Sequence, residues 1–331
     1  MQKERIVGTP VFRKEGVAKV RGAARYIDDL SLPGMIYGAT VRSAIPRGKV
    51  LNIEFGTGIP WEEFTIVTAK DIPGKNYIAL IQNDWPCLAD GVVNHPQEAI
   101  LLLAHPDRHL LPKAVAAVRI EYESLPSIHS IEESEAGETI IWGDDNIFKS
   151  FLMEKGDVDA AFAREDVLIV EGEYTTGAQE QLYIENNGVI AAYSEEQGLT
   201  VWGSLQCPFY VHKSLLGLTG LAEDKVRVIQ VETGGAFGGK EDYPSLLGAH
   251  AALLAMKSGH PVKIIYDRME DMAATTKRHP SRTRHRTAVT RDGRLVAADI
   301  EFCLDGGAYS TLSSTVLSRG TIHSGGAYFW P

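Results

Sequence analysis

The stretch at residues 233–241 constrains the fold more than any other part of this chain, because it places four glycines within six positions. Glycine has no Cβ and adopts positive φ values readily, so this stretch forms a loop and not a helix or a packed strand. Such a loop lets a ligand approach the main chain and aims several N–H groups at one point, which favours an anionic ligand. The glycines are Gly234, Gly235, Gly238 and Gly239.

Regular structure is predicted on both sides of this glycine loop. Residues 226–232 alternate β-branched with polar side chains, as a strand does. The leucines and alanines of residues 243–258 predict a helix, with Pro244 in its first turn and Gly259 at its end. Residues 262–266 predict a further strand. The segment is therefore predicted to be a strand, the glycine loop, a helix and a strand in succession.

A nucleotide P-loop is one alternative for this segment, since Gly234, Gly239 and Lys240 match most of its pattern. The P-loop pattern then requires Ser or Thr, whose hydroxyl binds Mg²⁺, whereas this chain has Glu241, whose negative charge would face the phosphates. Tight Mg-ATP binding that depends on Lys240 would favour this alternative. A purely structural turn is the other alternative.

The residues at 234–241, GGAFGGKE, resemble the pterin-binding loop of the xanthine dehydrogenase/aldehyde oxidase family, the molybdenum hydroxylases. Further segments are similar to the family's motifs and follow in the same order: RGAARYIDD at 21–29, QCP at 206–208, RHP at 278–280 and GAYS at 307–310. The resemblance extends from about residue 7 to the last residue. Ordered motifs over this length are far more specific than the loop alone.

The resemblance implies an α+β fold in three parts. These are an α/β hammerhead domain at residues 1–126, an acidic linker at 127–145 and the first molybdenum-cofactor-binding domain at 146–331, incomplete at its C-terminus. A chain of 331 residues also exceeds the length of roughly 250–300 at which single cores tend to split, so two domains are expected. The acidic, apolar-poor linker is predicted to be an exposed connector.

Periodicity and turn residues predict the remaining elements. Asp157 is predicted to cap a short helix, and Asp292-Gly293 to form a tight hairpin. Arg282, Arg284 and Arg286 are predicted to form a solvated or ion-paired strand face, with contact to cofactor phosphates as an alternative. Strands are predicted at residues 35–42, 64–67, 98–105, 118–122, 167–174, 183–188, 189–193 and 199–202, and helices at 111–118, 156–162 and 208–218.

The resemblance assigns roles to two side chains and to the loop. In the family, the glutamine equivalent to Gln206 approaches the oxo ligand of molybdenum, and an amide there donates a hydrogen bond without adding charge. Phe237 would line the substrate channel, and Ala236 stands where the family usually has glycine. Glu185 is expected to be a buried structural carboxylate, with an acid/base role as the alternative. The cofactor-binding residues implied are Gly234, Gly235, Ala236, Phe237, Gly238 and Gly239.

Glu241 is the residue that points to a substrate. Xanthine-oxidising members have a glutamate at this position that meets the purine ring, whereas aldehyde oxidases carry an apolar residue there. The resemblance therefore implies hydroxylation of a purine-like N-heterocycle, with water as the oxygen source. Oxidation of aldehydes is the alternative within the family. A carboxylate in the first helical turn would also be stabilised by the helix dipole whatever the substrate.

The family continues for several hundred residues beyond the equivalent of Pro331, and that part supplies the general-base glutamate and further pterin contacts. The resemblance thus implies that this chain is inactive alone and works with a complementary molybdopterin-binding polypeptide. It also implies a molybdenum–molybdopterin cofactor, with the dinucleotide form as one option and with no direct protein ligand to the metal. The [2Fe-2S] clusters and FAD are expected on partner subunits. A non-catalytic assembly module is the alternative from another class.

Charge and cysteine content argue against several classes of function and of site. A net charge of −10 argues against non-specific nucleic-acid binding. The three cysteines, Cys87, Cys207 and Cys303, lie too far apart for a disulfide framework or a zinc site and suit a reducing compartment. Met1 to Gly16 is charged, so we expect no signal peptide, no membrane span and a cytoplasmic protein. His95, His105 and His109 are expected to be solvated or hydrogen-bonded loop histidines.

Overall fold

A computed structural model describes residues 7–331. Residues 1–6 lie outside the described residues. They begin the predicted first domain and belong to the segment expected to lack a signal peptide. The helices are α1 (Gly16–Val20), α2 (Leu111–Ala117), α3 (Ile131–Ala136), α4 (Val158–Phe162), α5 (Pro208–Thr219), α6 (Tyr243–Ser258), α7 (Arg268–Ala274) and α8 (Ser313–His323). The strands are β1 (Ile36–Arg42), β2 (Gly48–Phe55), β3 (Thr65–Thr68), β4 (Val92–Val93), β5 (Ala99–His105), β6 (Val118–Ser124), β7 (Val167–Thr176), β8 (Gly188–Ser194), β9 (Gly198–Gly203), β10 (Val226–Gln230), β11 (Val262–Ile265), β12 (Ser281–Thr290) and β13 (Leu295–Leu304).

One seven-stranded sheet, in the order β10-β9-β8-β11-β1-β5-β3, organises the molecule. Strands β1 and β11 run parallel at its centre, with Ile36 opposite Val262. The sheet thus joins strands from both sides of the predicted boundary near residue 126. The three-part division of the chain stays a prediction, but its two larger parts share one hydrogen-bonded sheet.

Helix α6 is the main element packed on this sheet. All of its residues from Tyr243 to Ala255 are buried, which explains why its sequence is apolar on every side and lacks a polar face. Asp242 caps the helix, since its side chain accepts a hydrogen bond from the Tyr243 N–H. Gly259 ends it with φ of 70°. The predicted strand–loop–helix–strand segment is therefore present, with the glycine loop between β10 and α6.

Two three-stranded sheets flank this core, in the orders β13-β12-β7 and β4-β2-β6. Strand β12 carries the three predicted arginines, and each is ion-paired. Arg282 contacts Glu132 and Glu135 of α3, Arg284 contacts strands β7 and β13, and so does Arg286. Among residues 7–331, no helix has both the length and the apolar character needed to cross a bilayer.

Two local predictions differ from the structure. Residues 183–187 form a loop and not a strand, because their side chains and main chain bond to the glycine loop and to α7 and not to a neighbouring strand. The acidic linker contains the helix α3, whose cap Ser130 accepts from the Glu133 N–H. Glu132 and Glu135 of this helix bind Arg282, so the linker makes ion pairs as well as connecting the two parts.

Candidate functional site

The four glycines of the loop are required for two different reasons. Gly235 and Gly238 have φ of +96° and +93°, a backbone region that residues with a Cβ rarely adopt. Gly234 and Gly239 are surrounded instead, since an added Cβ would collide with Cβ of Glu185 or with the ring of Tyr183. The loop therefore closes tightly over the segment around residues 183–185.

The two non-glycine residues within the loop behave differently. Phe237 has φ of 53°, which is unusual for an aromatic residue, and its side chain is 78% exposed. Ala236 is buried and is not among the described residues with positive φ, so alanine is accommodated where the family usually has glycine. The unusual main-chain conformation is therefore adopted by Phe237, whose side chain faces solvent or a ligand.

Main-chain N–H groups of the loop fall into three sets, of which one is the Gly239 N–H, bonded to the Ala236 carbonyl at 2.8 Å. Those of Gly234, Gly238 and Lys240 donate to the side chains of Glu185 and Gln206. Within residues 7–331, the N–H groups of three consecutive residues have no acceptor: Gly235, Ala236 and Phe237. A run of successive N–H groups without protein acceptors is an anion-binding arrangement.

Gln206 is fixed against this loop. Its Oε1 accepts from the N–H groups of Gly238 at 3.0 Å and of Lys240 at 3.3 Å, and its own N–H donates to the Lys240 carbonyl at 2.8 Å. Because N–H groups require an acceptor, the amide oxygen must face the loop. The Nε2 group is then left to donate elsewhere, and it has no acceptor in the described part of the chain.

Lys240 points away from the loop's open side. Its side chain has no exposed surface, and its Nζ lies 3.0 Å from Oε2 of Glu185 and 2.9 Å from Oγ of Ser204. Burial lowers the pKa of Lys240, an effect that the Glu185 carboxylate opposes. A P-loop lysine has to reach the phosphates, and this one is held by a carboxylate inside the protein, so the geometry argues against a nucleotide P-loop.

A cleft of about 770 Å³ opens beside the loop. Phe237, Gly238, Glu241 and Asp242 form one part of its lining, whereas Gln206 is not among the lining residues. Glu241 precedes the cap residue Asp242, so it does not lie in the first turn of α6. Other parts of the lining come from three further segments: Gln179 to Gln181, Ala273 to Pro280, and Asp305 to Tyr309 with Thr311 and Leu312.

Burial and neighbouring charges shift the pKa values of several side chains in and near this cleft. Burial raises the pKa of the Asp242 carboxyl, which also accepts a hydrogen bond from Thr276 at 3.0 Å. Burial and the nearby carboxylate of Glu241 raise the pKa of the Cys207 thiol. His279 has its pKa lowered by burial and lies 2.8 Å from Oγ of Ser313.

The hammerhead part contributes to this cleft through Trp85 and His95, which the sequence did not single out for this role. Nδ1 of His95 donates to the carbonyl of Pro96 at 2.7 Å, which leaves Nε2 as an acceptor when the ring is neutral. No local signal in the sequence marks either residue. Their position follows from the shared central sheet. His105 is buried and bonds to Asp107, and His109 is exposed.

The residues present fit a ligand that carries oxygen acceptors. Three consecutive N–H groups and the Nε2 group of Gln206 supply donors only, and no atom beyond its chain neighbours lies within 4 Å of the place where a Cβ would stand at Gly238. Among residues 7–331, no group of three or more His, Cys, Asp or Glu side chains is placed to hold a metal ion.

Comparisons with known proteins cover nearly the whole chain. Residues 21–126 match the family model described as "Aldehyde oxidase and xanthine dehydrogenase, a/b hammerhead domain", and residues 143–331 match "Molybdopterin cofactor-binding domain". The nicotinate dehydrogenase large molybdopterin subunit of Eubacterium barkeri is 35% identical over 98% of this chain and 76% of its own length. A probable xanthine dehydrogenase subunit of Bacillus subtilis is 32% identical over 96% of this chain and 43% of its own.

A solved structure agrees with these matches. The aldehyde oxidoreductase from Desulfovibrio desulfuricans superimposes with a TM-score of 0.87 at 25% identity, over 96% of this chain and 36% of its own. The chain therefore spans about three quarters of the first relative and less than half of the other two proteins.

Proposed function

This chain belongs to the aldehyde oxidase and xanthine dehydrogenase family of molybdenum hydroxylases, and we propose that it holds the molybdopterin cofactor of an enzyme that hydroxylates a purine-like N-heterocycle. The family and the fold class that the motifs predicted are confirmed: a hammerhead domain and a molybdopterin cofactor-binding domain with mixed helices and sheets. Members of this family are oxidoreductases. The substrate and the assembly are the parts proposed here.

The observation that carries the proposal is the set of donors without acceptors. The N–H groups of Gly235, Ala236 and Phe237 and the amide of Gln206 would bind the oxygen atoms of the cofactor. The other predicted cofactor-binding glycines act indirectly, since the N–H groups of Gly234, Gly238 and Gly239 are already bonded within the protein. When bound, molybdopterin supplies a molybdenum centre for a two-electron oxidation with water as the oxygen source.

Glu241 and Phe237 are proposed to receive the substrate. Both line the cleft, and Glu241 is not needed to cap α6 because Asp242 does so. A carboxylate accepts hydrogen bonds from ring N–H groups, and an exposed aromatic ring stacks on a flat heterocycle. The names of two relatives, nicotinate dehydrogenase and xanthine dehydrogenase, support an N-heterocyclic substrate. Aldehyde oxidation is the second candidate, supported by the superimposed aldehyde oxidoreductase.

We propose that activity needs further polypeptides in the cytoplasm. These are a complementary molybdopterin-binding polypeptide that brings the general base, an iron–sulfur subunit with [2Fe-2S] clusters and an FAD subunit. A relative named as a large molybdopterin subunit supports a divided enzyme. A non-catalytic assembly module is the competing proposal, and it predicts a loop that never binds cofactor.

Metal analysis of the chain produced together with the products of its neighbouring genes tests the proposal. We expect close to one molybdenum per wild-type chain and far less for Gly235→Val, because valine cannot readily adopt a φ of +96°. The matched control is Gly293→Val in the β12–β13 hairpin, which has a similar φ of +88° away from the loop and should keep its molybdenum. Absence of molybdenum from the wild-type complex would support the assembly-module alternative.

A further inference from the structure

An ion pair between the buried Lys240 and the partly buried Glu185 lies beneath the glycine loop and joins its two ends. Oε2 of Glu185 accepts from the Gly234 N–H at 2.7 Å at the start of the loop and from Nζ of Lys240 at 3.0 Å at its end. We propose that Glu185 and Lys240 form a clamp that holds the loop in the conformation in which its N–H groups are free to receive the cofactor. Both are positioning residues that do not themselves touch the cofactor, and the inference rests on the proposed function.

Lys240 links this clamp to the other fixed part of the site. Its main-chain N–H donates to Oε1 of Gln206 at 3.3 Å, and its carbonyl accepts from the Gln206 N–H at 2.8 Å. One residue therefore ties the loop to Glu185 through its side chain and to Gln206 through its main chain. A shift of Lys240 would move Gln206, although Gln206 makes no contact with Glu185 that would transmit the change directly.

Neighbouring side chains contact both members of the pair. Oγ of Ser204 donates to Oε2 of Glu185 at 2.5 Å and accepts from Nζ of Lys240 at 2.9 Å. The ammonium also lies 4.8 Å from the centre of the Tyr183 ring, a cation–π contact. Tyr183 is held in turn, because its hydroxyl donates to Asp271 at 2.6 Å. Buried charges need such partners, so the pair has one defined geometry.

This arrangement explains how the loop can keep three N–H groups without acceptors. A loop without such anchors would relax so that its own carbonyls satisfy those groups, because a main-chain N–H is a strong hydrogen-bond donor. Gly234 and Lys240 are both bonded to the Glu185 carboxylate, so the two ends of the loop are anchored to one group. Removal of Glu185 would release both ends at once.

Residue-resolved hydrogen exchange on the full chain without cofactor tests the clamp. In the wild type, the amides of Gly234, Gly238 and Lys240 should be protected, since they donate to side chains. Glu185→Ala should accelerate exchange at all three by about tenfold or more, including the two amides that bond to Gln206 and not to Glu185. Glu185→Gln keeps an acceptor oxygen and should restore most of the protection.

Lys240→Met removes the other member of the clamp. It also tests the inference in the case in which Glu185→Ala does not fold. It should accelerate exchange of the Gly234 amide, to which the Lys240 side chain makes no bond. Lys257→Met is the matched control, because Lys257 lies near the other end of α6 in a surface pair with Asp71. It should leave the loop amides unchanged.

Two results would overturn the inference. The first is acceleration at Gly234 alone in Glu185→Ala, which would make Glu185 a local acceptor. The second is unchanged exchange at Gly234 in Lys240→Met. Since exchange is measured without cofactor, a wild-type complex that binds no molybdenum would refute the proposed function and leave this outcome unaffected. When molybdenum is bound, Lys240→Met should lose it and Lys257→Met should retain it.

Discussion

The amide oxygen of Gln206 lies 3.0 Å from the main-chain nitrogen of Gly238, and this contact determines which way the amide faces. Gly238 and Lys240 both offer N–H groups to that oxygen, so a reversed amide would bring donors against donors. The Nε2 group is thereby committed to the side away from these two N–H groups. The glycine loop therefore sets the orientation of Gln206, the polar side chain that is proposed to bind the cofactor.

Gln206→Glu separates the two functions of this side chain. Glutamate can still accept from Gly238 and Lys240, so we expect the free energy of unfolding to change by less than about 1 kcal/mol. It cannot donate, so bound molybdenum should fall by about tenfold or more. Urea unfolding and metal analysis measure the two effects. Equal molybdenum content in Gln206→Glu and the wild type would remove Gln206 from cofactor binding.

Glu241→Val tests the proposed choice of substrate. Loss of the carboxylate removes the acceptor for ring N–H groups, so kcat/KM for purines relative to aldehydes should fall by about tenfold or more in the assembled complex. Glu241→Gln is the control for size, because it keeps an acceptor oxygen and should show a smaller shift. An unchanged ratio of the two kcat/KM values would exclude Glu241 from substrate recognition.

His250 of α6 predicts a pH dependence of stability. Its Nε2 donates to the carbonyl of Cys87 at 3.0 Å, and burial lowers its pKa to about 3. The unfolded chain, with an ordinary histidine pKa of about 6.5, binds the proton more readily than the folded chain does. Stability from this group is therefore complete above pH 6.5 and is lost as the pH falls towards 3.

The size of this effect follows from the two pKa values. At pH 5.5 the free energy of unfolding should be about 1 kcal/mol lower than above pH 6.5 because of His250 alone. His250→Gln should remove that part of the dependence in urea unfolding at pH 7.5 and 5.5. His109→Gln, at an exposed position, should retain it. The same slope in His250→Gln as in the wild type would contradict the assignment.

The ion pair of Arg42 with Glu270 should contribute more to the free energy of unfolding than an exposed ion pair does. It donates to Glu270 at 3.0 Å, to Tyr266 at 2.6 Å and to the Gln97 carbonyl at 3.0 Å, and its side chain is only 8% exposed. Arg42→Met should lower the free energy of unfolding by about 3–5 kcal/mol, because Glu270 loses its partner in a largely buried site. Burial already raises the pKa of Glu270.

The matched comparison is Lys49→Met. Lys49 pairs with Glu123 at 3.0 Å between β2 and β6, and both side chains are half exposed. Its loss should change the free energy of unfolding by less than about 1 kcal/mol, since exposed pairs are well solvated. Urea unfolding of the two variants gives the contrast. Similar losses in both would mean that Arg42 is not held as the distances indicate.

Local signals predicted the elements on both sides of the loop and one cap elsewhere in the chain. The helix at residues 243–258, the strand before the loop and the cap at Asp157 all depend on neighbours within a few positions. The failure at residues 183–187 has the opposite cause. The sequence predicts an extended piece there, yet Tyr183 and Glu185 bond to groups far away in sequence, and these contacts decide the local structure.

Long-range packing produced the parts of the site that the motifs did not reveal. The burial of Lys240, its pairing with Glu185 and the entry of Trp85 and His95 into the cleft all follow from contacts across many residues. A lysine after two glycines has the same local pattern whether it faces a phosphate or a buried carboxylate. Its direction is set by what lies beneath the loop.

The sequence by itself determined the family, the fold class and the glycine loop, because each rests on residue types in a fixed order along the chain. Only the tertiary structure decided which loop amides are left without acceptors and which way the amide of Gln206 faces. Those outcomes depend on where Glu185 and Gln206 meet the loop, and that meeting is produced by the sheet that brings distant strands together.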